Sequence, residues 1–190
     1  VVSVTIEDNR NGNHSYKIER KSQTENQLSF SVMKDGCLEE LDFAVFCYND
    51  TSTAFQYQEN HIMPYPEGMS RMFCGLPLVG MENIGMPFIL NSLEFEPEQE
   101  RDGIAFDPTA NPENLKILKD SVHLFEIVLN YVEKNKLRNA YHLTKMAKRY
   151  NGSQTSRTKF CEVGIEGYKQ QLMKRAIVKN SDGDLFHSHK

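Results

Sequence analysis

The sequence predicts an α+β protein: a mixed, mostly antiparallel sheet with helices packed on one face. Three observations carry this. Apolar and polar residues alternate through much of the first half, as in Leu28, Phe30 and Val32 against Ser29 and Ser31. Turn chemistry at Asn11-Gly12 and Asp35-Gly36 punctuates the alternation. After Asp107-Pro108 the apolar period changes from that of a strand to that of a helix.

Taken in order, residues 1–6 alternate as a strand, 8–13 turn, and 16–20 return as its hairpin partner. Residues 27–33 and 39–48 continue the pattern, which predicts a four-strand antiparallel meander. Residues 49–70 are irregular and rich in Asn, Gln, Ser and Tyr. They read as a surface loop, either functional or a plain insertion, with one short strand at 53–57. Residues 72–79 and 87–95 read as two more strands around a Gly-rich turn. Pro77 inside the first of them suits an edge, because proline cannot donate to a ladder. Asn111-Pro112-Glu113 is a helix start, and Leu115, Leu118, Val122, Phe125, Leu129 and Val132 then lay one apolar stripe. Ile117, Leu124 and Val128 widen it, so this helix is expected to be buried on more than one side. A break at 134–136 precedes a second helix at 137–150, a polar linker at 153–158 and a third helix at 160–174. A short last strand at 175–178 and a turn at 181–184 complete the reading. Residues 1–152 form the sheet and long-helix core, and 153–190 a C-terminal helix and tail of the same domain.

Composition sets limits. With 190 residues, 39% hydrophobic and 25% charged, the chain is long enough for one domain with a real core. A formal net charge of −4 argues against a nucleic-acid surface, which needs a concentrated basic face. No segment approaches the roughly 18 continuous apolar residues of a membrane span, and a cytoplasmic protein is expected. Three of the cysteines Cys37, Cys47, Cys74 and Cys161 sit among apolar neighbours, which predicts reduced, buried thiols. The start at Val1, inside a strand, reads as a piece cut from a longer polypeptide.

Familiar catalytic signatures are missing: there is no phosphate-binding glycine loop, nucleophile elbow or zinc-protease helix. His187 and His189 form at most half a metal site. Glu94, Glu96, Glu98 and Glu100 are either a carboxylate ligand set or a solvated strand edge, and the pattern favours the edge. The basic run 145–149 with Arg138 reads as an exposed helix face near a C-terminus. Arg101 is different in kind. It follows a strand and an acidic segment, where a permanently charged fork reaches either a phosphate on another domain or the adjacent glutamates.

The run R-M-F-C-G-L-P-L, then G-M-P-F-I-L-N-S-L-E-F, then E-R-D-G-I, within residues 71–104, resembles part of the sacsin-type GHKL ATPases. Those proteins are relatives of the large heat-shock chaperone, gyrase B and MutL. The resemblance implies the middle, transducer domain, of ribosomal-protein-S-five-domain-2-like fold, without the Bergerat nucleotide-binding domain. No Asp-x-Gly-x-Gly occurs here. It further implies ATP and Mg in the parent protein, an N-terminal nucleotide-binding domain of the same polypeptide as partner, and protein clients. By the same resemblance Arg101 is the basic residue that contacts the ATP γ-phosphate when the domains close. Where the pattern has two adjacent arginines this chain has Arg101-Asp102, so Arg71 stands as a second phosphate-binding candidate. The alternatives are a non-catalytic interaction module of a larger cytoplasmic protein, and a free-standing enzyme with no nameable nucleophile and base.

Overall fold

The computed structural model describes residues 2–8, 12–98, 102–179 and 185–187, with side-chain surroundings for 14–98 and 102–175. The α+β expectation is met. Strands β1 (Val2–Asp8), β2 (Gly12–Gln23), β3 (Gln27–Lys34) and β4 (Cys37–Tyr48) form the antiparallel meander. The turn between β3 and β4 uses left-handed backbone at Asp35 and Gly36, the conformation a tight hairpin demands. Then follow β5 (Thr51–Gln58), β6 (His61–Ile62), β7 (Met72–Cys74), β8 (Leu76–Pro77) and β9 (Leu90–Asn91). Among the described residues the main sheet has nine strands, ordered β1-β2-β3-β4-β5-β9-β7-β8, with β6 on β5. Among the described strands only β7 and β9 run parallel.

Three strand expectations need correction. The short strand expected at 53–57 is present but longer, Thr51–Gln58, and it lies in the middle of the sheet, antiparallel to β4, rather than in a surface loop. Its inward positions are Thr51, Thr53 and Phe55, so two of three buried residues are polar and hide the alternation. The run at 72–79 is not one strand: Gly75, at φ 70°, folds it back so that β8 pairs with β7. Pro77 does fall on the edge strand. Of residues 87–95 only Leu90 and Asn91 join the ladder, although Phe88 and Phe95 are buried. Asn91 explains why the ladder holds there: its side chain donates to Ser52 Oγ (3.1 Å) and accepts from Gly75 N–H (3.0 Å).

Helix α1 (Pro112–Lys134) matches its predicted start, and its apolar stripe is buried, save half-buried Val122, along with Ile117, Leu124 and Val128. The Asn111 side chain makes no cap; Asp107 Oδ1 instead takes the N–H groups of Thr109 and Ala110, both at 2.8 Å. Aromatic contacts seat α1 on the sheet, with Tyr131 edge-on to Phe46 at 5.0 Å and Phe125 stacked on Phe88 at 5.1 Å.

The helical layer beyond α1 departs from expectation twice. Residues 137–150 hold only a 3₁₀ turn (Ala140–Leu143). Their backbone groups go elsewhere: Arg138 pairs with Asn60 and Ile62, and Ala147 and Arg149 pair with Gly85. A helix would forfeit those bonds. The supposed linker 153–158 is instead helical, because Ser153 Oγ caps Ser156 N–H (3.2 Å) and starts helix α2 (Gln154–Lys159). A π-helical turn (Phe160–Ile165) leads directly into α3 (Glu166–Met173). Gly164 and Gly167 do mark a close approach: a Cβ at Gly167 would meet Val122 Cγ2 of α1 at 2.7 Å. Strand β10 (Ala176–Lys179) pairs with β11 (Leu185–His187) as a separate two-stranded sheet. The predicted turn at 181–184 lies outside the described residues, and so does His189.

The cysteines form no disulfide, as expected, but the burial expected of them fails. Cys37 and Cys47 are exposed, and Cys74 and Cys161 are half-buried. Alternation explains Cys47, which faces away from the Phe46 side of β4. No helix among the described residues is long and apolar enough to cross a membrane.

Candidate anion-binding cleft and the loop carrying Arg101

Arg71 lies at the start of β7. Its N–H bonds Met81 O (3.0 Å) and its carbonyl takes Leu90 N–H (2.9 Å), so both neighbours in the fold fix its backbone. Its guanidinium sits over the Tyr65 ring, 4.5 Å from the centroid, a cation–π stack. Tyr65 is itself held, donating its hydroxyl to Ala54 O at 3.0 Å, and burial pushes its phenol up to about 12. The group therefore stays neutral beside the cation. Burial also pulls Arg71 down from its ordinary value, but a guanidinium remains charged in a protein.

The stack forms one side of a cleft of about 460 Å³ between the 64–65 segment, residues 82–87 and residues 142–147. The wall opposite is built by Gly85. Its N–H donates to Arg149 O (2.9 Å), and its carbonyl accepts from Ala147 N–H (3.2 Å). A Cβ there would lie 1.6 Å from Ala147 O, so only glycine permits this contact. The wall carries Lys145, exposed, and His142, whose ring rests on Tyr141 at 4.2 Å. Burial, and then the Lys145 charge, hold His142 below the usual imidazole range, so it is neutral near pH 7.

Two residues lining the cleft each have one nitrogen that is shut off from water and has no hydrogen-bond partner, Arg71 Nη1 and His142 Nδ1. Unpartnered buried polar atoms of this kind are rare. The ion pairs among the described residues include neither Arg71 nor Lys145. The one acidic side chain lining the cleft, Glu82, is engaged elsewhere: its Oε1 accepts from Gly80 N–H at 3.1 Å. The cleft thus carries two cations and one carboxylate, the latter held at the Gly80 turn.

Sequence reasoning singled out Arg71 but placed Lys145 on a helix face and gave His142, also taken for a helix residue, no ligand role. These residues are more than 70 positions from Arg71, and no local pattern joins them.

Arg101 lies outside the described residues, as does Glu100. The stem of their loop is described. Pro97 and Ile104 form an antiparallel bridge, and Glu98 N–H donates to Gly103 O at 3.0 Å. Tyr150 then ties this stem to the helical layer. Its hydroxyl donates to Ile104 O (2.7 Å) and accepts from Ile104 N–H (3.2 Å). Its ring lies 4.6 Å from Phe160 and 5.2 Å from Phe106. Asn151 adds a bond to Gly80 O at 3.0 Å.

Of the glutamate series, Glu94, Glu96 and Glu98 are exposed. Glu94 and Glu96 line a shallow depression with Asp50, Glu113 and Asp120. No group of His, Cys, Asp or Glu among the described residues has the geometry to hold a metal ion.

No family model, no curated protein and no solved structure matches this chain.

Proposed function

We propose that this chain is the middle, transducer domain of a GHKL-type ATP-binding protein, of ribosomal-protein-S-five-domain-2-like fold. It couples nucleotide state in a neighbouring Bergerat-fold domain to movement of its own helical layer and turns over no ATP by itself. One observation carries the reading beyond the resemblance at residues 71–104. The loop bearing Arg101 is closed at its stem, and Tyr150 bonds both backbone groups of Ile104 while its ring packs on Phe160. A displacement of that loop is therefore passed to the helices rather than absorbed. In this reading Arg101 supplies positive charge to the γ-phosphate, a contact that stabilises the transferring phosphoryl group. ATP and its Mg are held by the neighbouring domain, whose own signatures this chain lacks. Protein clients and a cytoplasmic setting belong to the same proposal.

The test is steady-state ATP hydrolysis by the protein that joins this chain to its nucleotide-binding domain. Arg101→Ala should cut the rate at least tenfold, about 1.4 kcal/mol of transition-state stabilisation. An unchanged rate removes Arg101 from the site, and hydrolysis by this chain alone overturns the reading.

A second reading, a non-catalytic interaction module, is favoured by one feature. Leu76, Val79 and Leu93, at 68%, 66% and 72% exposure, leave apolar surface around the β8 edge. On that reading Arg101→Ala leaves turnover intact, and Leu76→Asp instead abolishes complex formation.

A further inference from the structure

We infer that the Arg71 cleft binds an oxyanion carried on an apolar body, a phosphate monoester or a carboxylate, within this domain alone. The inference does not rest on the transducer reading. A basic side chain that reaches a nucleotide on another domain needs a free, extended arm. Arg71 is the opposite: it is stacked on Tyr65, half-buried, and faces a concavity of its own domain. Stacking leaves the in-plane edge of the guanidinium as its remaining bonding surface, the edge that matches two oxygens of a carboxylate or phosphate.

The charge inventory points the same way. Arg71 and Lys145 line the cleft from two segments, and the single carboxylate there, Glu82, is held at Gly80, so the lining carries a net positive charge. An oxyanion entering the cleft is attracted by that charge. Neutral His142 adds a nitrogen that donates or accepts according to its tautomer, which suits a phosphate monoester carrying a proton.

The rest of the lining is apolar. Met86 and Pro87 are buried on one wall, Met146 is half-buried on the other, and the Tyr65 ring forms the edge beneath Arg71. Methionine adapts to a ligand's shape, and such a mix of apolar wall with a few convergent polar groups is the usual make-up of a small-molecule site. Inorganic phosphate would use the cations and leave these walls in contact with water.

The test is an NMR titration of the ¹⁵N-labelled chain, following the Gly85, Met86 and Ala147 amides and the Arg71 Nε–H. The probes are phenyl phosphate, phenylacetate, inorganic phosphate, benzyl alcohol and ATP with Mg. The expected result is saturable binding of phenyl phosphate and phenylacetate, weaker inorganic phosphate, and none of benzyl alcohol. Arg71→Met should weaken both aryl anions at least tenfold, as loss of a charge-assisted bond requires. Lys145→Ala, at an exposed position that leaves the core untouched, should weaken them about threefold and keeps the test valid if Arg71→Met unfolds. The inference is overturned if neither aryl anion saturates by about 20 mM, or if binding is indifferent to both substitutions. Inorganic phosphate binding as tightly as phenyl phosphate overturns the apolar-body half of it. Shifts by ATP with Mg at these same residues support an oxyanion site in this domain.

Discussion

Gly85→Ala is the sharpest perturbation the fold offers. The added methyl would lie 1.6 Å from Ala147 O, 2.4 Å from its carbonyl carbon and 2.7 Å from its nitrogen. All three are backbone atoms, so no side-chain rotation relieves the clash, and the 82–87 and 145–149 segments must separate. Separation breaks two hydrogen bonds, Gly85 N–H to Arg149 O and Ala147 N–H to Gly85 O. Each contributes about 1 kcal/mol net, and forcing packed segments apart adds about 1–3 kcal/mol. The sum, about 3–5 kcal/mol, is a large part of the roughly 5–15 kcal/mol that holds a domain together. Urea denaturation followed by circular dichroism should show the midpoint falling with unchanged slope, and Tm should drop by about 10 °C. The same substitution moves Lys145 and His142 away from Arg71, so aryl-anion binding should fall even in the folded fraction. A stability within about 0.5 kcal/mol of wild type would refute the reasoning, since it would place the two segments further apart than described.

Three further outcomes follow from the packing. Tyr150→Phe removes the single hydroxyl that satisfies both backbone groups of buried Ile104. Chemical denaturation should show a loss of about 2–4 kcal/mol, with faster amide exchange at Ile104. Gly167→Ala should cost about 1–3 kcal/mol because its methyl meets Val122 Cγ2 at 2.7 Å, and adding Val122→Ala should recover part of it in a double-mutant cycle. The third concerns alkaline pH. Burial raises the phenols of Tyr65 (to about 12), Tyr150 and Tyr168. The unfolded chain releases those protons near pH 10 while the folded chain keeps them, so their stabilisation is complete below pH 10 and declines as pH rises toward 12. Each phenol contributes a slope of up to about 1.4 kcal/mol per pH unit, and Tyr168→Phe should make the decline shallower by that amount.

The elements legible in the sequence were those whose signal is local. Helix α1 was read almost residue by residue because its stripe repeats over six turns and Pro112 marks its start. The meander was read because Asp35-Gly36 and the alternation of β3 agree. What failed depended on distant partners. Strand β5 was read at 53–57, but its central place in the sheet was not, because nothing local says that Thr51 and Thr53 face inward. Residues 137–150 have a helix-like composition, but their backbone pairs with 60–62 and with Gly85, tertiary bonds that override propensity. Ser153 is a standard N-cap, and taking its segment for linker missed a signal that was present. At the cleft, Arg71 was legible as a basic residue in a motif. Its stack on Tyr65 and the cleft it shares with Lys145 exist only once the chain has folded.

The central claim is that nucleotide state is passed through the 98–104 stem to the helices. Hydrogen exchange measures it most directly, on the protein that joins this chain to its nucleotide-binding domain, with and without a non-hydrolysable ATP analogue. The account predicts that the analogue increases protection at both 98–104 and 150–160 in the wild type, and at neither in Arg101→Ala. Protection confined to the nucleotide-binding domain, or identical in Arg101→Ala, would contradict it.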